Sequence, residues 1–401
     1  MSSPTKRTTP LVPPSQPSKK VDSGVKRVIE WLYNRVPGQH EAILAVVAGL
    51  VHGEPTLLVG PPGTAKTLMI TSLARMMSAR AYITQLHRYM SDVEIYGPYD
   101  IKAIQEGRLV RNWSGIVSAD IIYLDEVFDA PSFLLRSLHS LLNEHVVYDP
   151  YTGQSMPVKA FAIFASSNYV PTSPELMAVA DRFPVKVGMG YISAEYYRNA
   201  IIVSNDSQEP PTGVVSRQEI EALRARALEY VRGEAFLGEY VRLAQSIAGL
   251  REFGAQVSDR TLFAKLPMIV ASIMTLINCP PSQKGCTTYA TFLILPWIIN
   301  IQALQAPSTE ESANNPVQKA MEGVQDALKM AKSELMSIAF EFRSLLKEEV
   351  KALAGEQPSE QVFKSVLKTF ETGHVKLRRW YSYLPDLIEW RMEVLTHQSP
   401  G

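Results

Sequence analysis

The spacing of apolar residues changes character three times along the chain. Val25, Val28, Ile29, Leu32 and Tyr33 recur at helical spacing, and a second helix is predicted from about His40 to Val51. Short apolar runs then alternate with amphipathic stretches. Residues 56–59, 81–85, 121–124 and 160–165 read as buried strands with helical segments between them. Strands alternating with helices predict an α/β core, a mostly parallel sheet covered on both faces. After Val187 the strand signal ends. Stretches near 193–204, 216–232, 235–251, 258–278 and 288–305 read as helices of a smaller all-helical domain, a lid.

A third pattern follows. Val317, Met321, Val324, Leu328, Ala331, Leu335, Ile338, Phe342 and Leu345 are spaced alternately by four and three, a sustained heptad seam. Gly355 and Pro358 break it, and a second seam runs through Phe363, Leu367, Phe370, Leu377, Tyr381 and Leu384. Two such seams predict an antiparallel helical hairpin, each arm about 45–50 Å long at ~1.5 Å per residue. His374 mars the second seam and Arg391 interrupts its continuation, while Trp380, Tyr383 and Trp390 add aromatic surface. The hairpin is therefore expected to fold on itself and present that aromatic end to a neighbouring subunit or partner. The alternative is that it packs as part of the lid. Residues 1–20 carry five prolines, four Lys/Arg and no acid, so the start of the chain reads as a disordered basic tail. The predicted division is a tail over 1–24, a core over 25–187, a lid over 188–310 and a hairpin extension over 311–401.

Composition narrows the functional classes. Hydrophobic residues make up 46% of the 401 positions, enough for packed cores. Lys+Arg and Asp+Glu both number 40, so the chain lacks the basic excess of a dedicated duplex-DNA binder. Two cysteines exclude a disulfide scaffold and a multi-cysteine zinc module. Cys279 and Cys286 flank a Pro-Pro-Ser-Gln-Lys-Gly loop with no histidine near, so zinc is not expected. Pairing between them is expected only in a hyperthermophile. No run reaches the ~18 apolar residues a membrane helix needs. The stretch 290–301 is interrupted by Pro296 and reads as a core helix. Without an apolar signal core at the start, a cytoplasmic location is expected.

The candidate chemistry lies in the α/β part. Gly60-Pro61-Pro62-Gly63-Thr64-Ala65-Lys66-Thr67 follows a predicted strand and opens a helix. That context suits a phosphate-binding loop, whose amides converge on a phosphate at a helix N-terminus. Lys66 would bridge the β- and γ-phosphates of ATP, and the Thr67 hydroxyl would ligate Mg²⁺. Ala65 stands where the pattern has glycine, which is acceptable if its φ is negative. Ile121-Ile122-Tyr123-Leu124-Asp125-Glu126 is an apolar strand ending in two acids. Asp125 would hold the Mg²⁺ and Glu126 would act as general base on the attacking water. Asn168, after Ala165-Ser166-Ser167, is placed to hold that water. Alone it would more often be a turn residue.

Together these stretches resemble the AAA+ ATPases of the MoxR family, most closely the RavA-like branch. The resemblance also rests on Val36-Pro37-Gly38-Gln39-His40-Glu41-Ala42-Ile43, Tyr96-Gly97-Pro98, Leu141-Leu142-Asn143-Glu144, Asp181-Arg182-Phe183 and Val257-Ser258-Asp259-Arg260. It spans residues ~30 to ~275 and leaves the hairpin outside. It implies that Gly38 and Gln39 line the adenine pocket and that Asn168 is sensor 1. It implies further that Arg182 is the arginine finger for a neighbouring subunit, and that Arg260 is sensor 2, acting on its own chain's nucleotide. The bland readings are a salt bridge to Asp181 for Arg182 and a helix-start charge for Arg260. Residues ~92–118, and a hairpin of 146–148 with 156–158, are similar to loops that face a ring pore. The implied protein is an ATP-hydrolysing, ring-forming, hexameric remodelling chaperone. Its client is unnamed, and the family supplies a von Willebrand factor A (VWA) domain protein as partner. A nucleic-acid motor and a nucleotide-gated scaffold are the alternatives. The neutral charge argues against the first, and intact Lys66, Asp125 and Glu126 argue against the second.

Overall fold

A computed structural model describes residues 23–206, 208–253, 257–299, 334–374, 377 and 381–396. Two helices, α1 (Ser23–Arg35) and α2 (His40–His52), precede a five-stranded sheet. Its strands are β1 (Thr56–Val59), β2 (Ala81–Gln85), β3 (Ile121–Asp125), β6 (Ala162–Ser167) and β7 (Val185–Gly188). All neighbours are parallel, in the order β2-β3-β6-β1-β7. The remaining strands, β4 (Val146–Tyr148) and β5 (Ser155–Pro157), pair antiparallel as a hairpin.

Period two sorts the sheet's side chains between two cores. Leu58, Tyr123 and Phe164 face one core, shared with α2 and α3 (Lys66–Met76). Leu57, Ile122, Leu124 and Ile163 face the other. That second core lies under α4 (Asp92–Tyr96), α6 (Ser132–Glu144) and α7 (Pro174–Ala180), and α5 (Ile101–Gln105) lies outside it. Both faces of the inner strands are covered, so β1, β3 and β6 are buried almost throughout. β2, expected as a buried strand, is instead an edge strand with Ala81, Ile83 and Gln85 exposed, because only β3 flanks it. α2 seats directly on the sheet, where a Cβ at Gly49 would come within 2.7 Å of the Phe164 ring.

The insertion after β2 and the β4–β5 hairpin form one unit around Arg111. Its side chain is fully buried and donates to Asp149 (2.8 Å), Asp92 (2.6 Å) and the Gly97 carbonyl (2.9 Å). Asp149 also accepts from Tyr99 and from the amides of Tyr151 and Thr152. Burial alone would push the Asp149 carboxyl upward, but Arg111 and these donors hold it down at about 2.

Helices α8 (Tyr197–Ser204), α9 (Arg217–Arg232), α10 (Glu234–Gly249), α11 (Leu266–Leu276) and α12 (Cys286–Ile298) follow. A π-helical turn, Arg260–Lys265, leads into α11, where Pro267 cannot donate to the helical ladder. Arg224 of α9 donates to the carbonyls of Val51 (2.8 Å) and Phe161 (3.0 Å), and Lys265 pairs with Glu54 at 3.0 Å. Phe161 and Glu54 precede β6 and β1. Helix α9 and the turn before α11 are therefore pinned at the amino edge of the sheet, while α8 lies beside the loop that follows β1. No described helix is long and apolar enough to cross a membrane.

The C-terminal helices are α13 (Glu334–Leu353), α14 (Glu360–Gly373) and α15 (Leu384–Thr396). The seam positions from Val317 to Ala331 lie outside the described residues. Leu335, Ile338, Phe342 and Leu345 are buried in the core that contains α2 and α12, and Phe363, Phe370, Tyr381 and Leu384 join the same core. Tyr383 and Trp390 pack against it. Trp380 lies outside the described residues, but Tyr383 and Trp390 are turned inward, because these helices complete an existing core rather than only each other's. Arg391, expected as an interruption, is buried and holds Glu349 by two bonds of 2.6 and 2.7 Å. Tyr289 of α12 donates to the same carboxylate at 2.8 Å. Arg343 and Trp297 both donate to Glu41 at the start of α2 (2.6 and 3.1 Å). Cys279 and Cys286 form a disulfide with Cα atoms 5.6 Å apart, in the usual range for the bond.

Breaking one side of a buried ion pair leaves an uncompensated charge. Arg391→Ala should lower stability by ~3 kcal/mol or more, read as a shift of the urea midpoint. Removing α13–α15 should expose the α2 core and give an aggregating chain, not a folded truncation.

Candidate active site

A parallel sheet sets the carboxyl ends of its strands on one edge. β6 lies between β1 and β3, so the residues following these three strands converge. Gly60 begins the loop after β1, where a Cβ would fall 1.9 Å from the Met189 carbonyl oxygen. Only glycine fits there. Gly63 and Ala65 have φ of +80° and +67°, and α3 starts at Lys66. The loop therefore delivers the amino end of a helix, where amides lacking helical partners attract anions. Thr64 donates to the Pro61 carbonyl (2.9 Å) and closes the turn. Pro62 and Gly63 are exposed at its tip. The condition of a negative φ at Ala65 is not met: alanine here adopts the left-handed conformation usually given to glycine.

Lys66 is buried, and its ammonium donates to the carbonyls of Gly60 (2.7 Å) and Pro61 (2.9 Å) and to Asn168 Oδ1 (2.9 Å). Burial holds its pKa below the usual lysine range, opposed by Glu126 and Asp125. Thr67 Oγ1 donates to Asp125 Oδ2 at 3.0 Å and lies 3.3 Å from the Tyr123 hydroxyl. A hydroxyl beside a carboxylate is a hard-oxygen donor pair that fits Mg²⁺. Ser166 donates to the other Asp125 oxygen, and Tyr123 donates to Ser166 at 2.9 Å.

Glu126 leaves the strand with φ of +54°, an uncommon conformation for a residue with a side chain. The turn brings its carboxylate back toward the end of β6. Asn168 donates to it from its backbone amide (3.2 Å) and from its side-chain nitrogen. Burial raises the Glu126 pKa, and Asp125 and Asp129 raise it further, against the Asn168 amide. A carboxylate raised toward neutrality is a better proton acceptor near pH 7.

A cleft of about 720 Å³ adjoins the loop. Its lining falls in residues 31–39, 63–68 and 190–210, and includes Trp31, Gln39, Gly63, Ala65, Leu68 and Tyr197. Gln39 donates to the Gly190 carbonyl at 2.7 Å. Gly38, with φ of +81°, lines a neighbouring cavity of about 370 Å³ instead. His40 lies between the rings of Tyr33 and Tyr196, with both nitrogens unpartnered, and burial lowers its pKa to about 4.

The two arginines are not brought to this loop. Arg182 follows α7, half-buried, with Nε unpartnered. It forms no ion pair with Asp181 among the described residues. After burial, its charge is what lowers the pKa of the nearby His139 in α6. Arg260 is exposed at the start of a turn whose last residue, Lys265, is bonded to Glu54. Glu54 stands six positions before Gly60, a span of roughly 20 Å at ~3.3 Å per residue. Among the described residues no hydrogen bond or ion pair joins Arg260 to the loop, and its action on its own chain's nucleotide belongs to the proposal below. Tyr123 and Ser166 take part in the site although they were read only as strand residues.

A phosphate loop after β1, an Asp-Glu pair after β3 and an asparagine after β6, the strand between them, define a P-loop core of the AAA+ type. Residues 23–225 match the family model described as the MoxR domain in the MoxR–vWA–beta-propeller ternary systems. The chain belongs to the MoxR family. It is 29% identical over 228 residues to the uncharacterized protein MJ0079 of Methanocaldococcus jannaschii, covering 56% of this chain and 58% of that protein. It is 27% identical over 209 residues to the chaperone MoxR1 of Mycobacterium tuberculosis, covering 49% of this chain and 54% of that one. The chain thus spans little more than half the length of these relatives. Its fold is similar to that of a Cytophaga hutchinsonii protein whose ATPase assignment is itself inferential. The TM-score is 0.55 at 20% identity, covering 75% of this chain and 93% of the other.

Two opposing terms decide the effect of Ala65→Gly. A left-handed alanine costs about 1–2 kcal/mol in the fold, and added chain freedom with glycine costs about 0.4–1 kcal/mol. The variant should be slightly more stable, with a higher melting temperature and unchanged nucleotide affinity.

Proposed function

We propose that this chain hydrolyses ATP as a ring-forming remodelling chaperone of the MoxR type. The observation that carries the reading is the convergence of Lys66, Thr67, Asp125, Glu126 and Asn168 at one sheet edge. ATP would lie with its base in the cleft beside Gln39 and its phosphates on the loop. Lys66 would exchange the Gly60 and Pro61 carbonyls for phosphate oxygens. Thr67 and Asp125 would hold Mg²⁺, which supplies charge neutralisation across the β- and γ-phosphate oxygens. Glu126 would take the proton of the attacking water, and Asn168 would orient that water.

Among the described residues Arg182 forms no ion pair, and its Nε is unpartnered. That suits a finger reaching the nucleotide of the next subunit, where a guanidinium spreads over transition-state charge. The ring, with six subunits as the expected number, follows from this role. The description of the family model supports a VWA-domain partner. The client, the RavA-like placement and a cytoplasmic location belong to the same proposal.

Glu126→Gln should bind ATP and lose at least ~100-fold in turnover, whereas Lys66→Ala should lose tight nucleotide binding. Phosphate release and fluorescent-nucleotide titration separate the two. Near wild-type turnover in Glu126→Gln would refute the general base. Arg182→Ala subunits mixed with Lys66→Ala subunits should regain part of the activity, since some interfaces then pair an intact site with an intact arginine. Arg260, as sensor 2 acting on its own chain's nucleotide, should give no such recovery when Arg260→Ala subunits are mixed with Lys66→Ala subunits, since neither then has a complete site of its own.

A further inference from the structure

Tyr123 sits in the middle of the apolar strand β3 and is fully buried. Packing there requires only the ring. A buried hydroxyl is unfavourable unless it is hydrogen-bonded, and this one is aimed at the site. Period two along β3 places Ile121, Tyr123 and Asp125 on one face. The register with β6 sets Tyr123 opposite Phe164 and Leu124 opposite Ala165, so Ser166 comes next, beside Asp125. Ser166 is likewise fully buried.

These placements close a ring of four side chains from α3, β3 and β6. Thr67 Oγ1 is within 3.3 Å of the Tyr123 hydroxyl, Tyr123 donates to Ser166 at 2.9 Å, and Ser166 donates to Asp125 Oδ1. Thr67 closes the ring at 3.0 Å from Asp125 Oδ2. Thr67 has one proton to donate. While it is spent on Asp125, it occupies the face of the carboxylate that a cation would use. If it is passed to the phenol oxygen, the hydroxyls run in one direction from Thr67 through Tyr123 and Ser166 to Asp125. The lone pairs of Thr67 and Asp125 Oδ2 are then both turned outward.

We infer that Tyr123 and Ser166 are positioning residues for the divalent-cation ligands: Tyr123 accepts the Thr67 hydrogen bond and Ser166 fixes the Asp125 carboxylate, so that both ligand oxygens face one cation. The inference rests on the ATPase reading above and adds residues to it. Groups that orient the ligands of a metal usually alter its affinity 10–100-fold when removed.

The test measures Mn²⁺ binding by electron paramagnetic resonance on the full chain saturated with ADP, and ADP affinity in EDTA. Tyr123→Phe and Ser166→Ala should each weaken Mn²⁺ by about tenfold and leave metal-free ADP affinity unchanged. Ser166→Thr, which keeps the hydroxyl, should remain near wild type. The double variant should be no weaker than the worse single variant, because the hydroxyls act as one chain. Unchanged Mn²⁺ affinity in both single variants would overturn the inference. So would equal losses of ADP with and without metal, which mark a packing role. A wild-type chain that binds ADP with no Mn²⁺ would overturn the ATPase reading as well.

Discussion

The direction of the strands is the constraint on which the site depends. A parallel sheet gathers the carboxyl ends of β1, β6 and β3 at one edge, and adjacent strands there lie about 5 Å apart. Three segments distant in sequence can then share a phosphate-sized space. The loop after β1 contributes cation and amides, β3 contributes two carboxylates, and Asn168 after β6 bridges between them. An antiparallel neighbour would carry its functional end to the opposite edge and dismantle the constellation. Burial of both faces follows from the same choice, since the crossovers that keep strands parallel are the helices that cover the sheet.

The opposite edge has a different task. Arg224 and Lys265 tie the helical region to Val51, Phe161 and Glu54, where the strands begin. Two acids then knit the C-terminal helices to the rest. Half-buried Glu41 links the start of α2 to Arg343 and Trp297, and buried Glu349 links α13 to Arg391 and Tyr289. Glu349 is fully partnered, as a buried charge must be. Gln39, which lines the cleft, stands two residues before Glu41. The cleft and the C-terminal helices are therefore joined through a single turn of α2.

Local conformational cost is concentrated at the site. Ala65 and Glu126 both take left-handed backbone angles that side chains disfavour. At Ala65 the angle shapes the loop into the helix start. At Glu126 it turns the carboxylate away from the strand axis toward Asn168. Lys66 and Glu126 are also moved by burial toward their uncharged forms. Such groups persist because the sheet and the α3 packing beneath them are rigid.

The sequence by itself determined the elements that carry chemistry. Gly60 to Thr67, Asp125, Glu126 and Asn168 were legible because strand, turn and helix signals are local, and so is the pattern of the phosphate loop. The β4–β5 hairpin was legible for the same reason, through its turn residues. Tertiary structure alone decided which apolar faces meet. A heptad seam reports that a helix buries a stripe, not what covers it, so the C-terminal helices read as a separate arm although α2 and α12 cover them. It also decided that α8 flanks the cleft while α9 and Lys265 meet the opposite edge of the sheet. Arg391 read as a defect in a seam because its partner, Glu349, is 42 residues away. Tyr123 read as core because only the register of β3 on β6 brings its hydroxyl to Ser166. Periodicity encodes burial along one element, while pairing across elements depends on contacts distant in sequence.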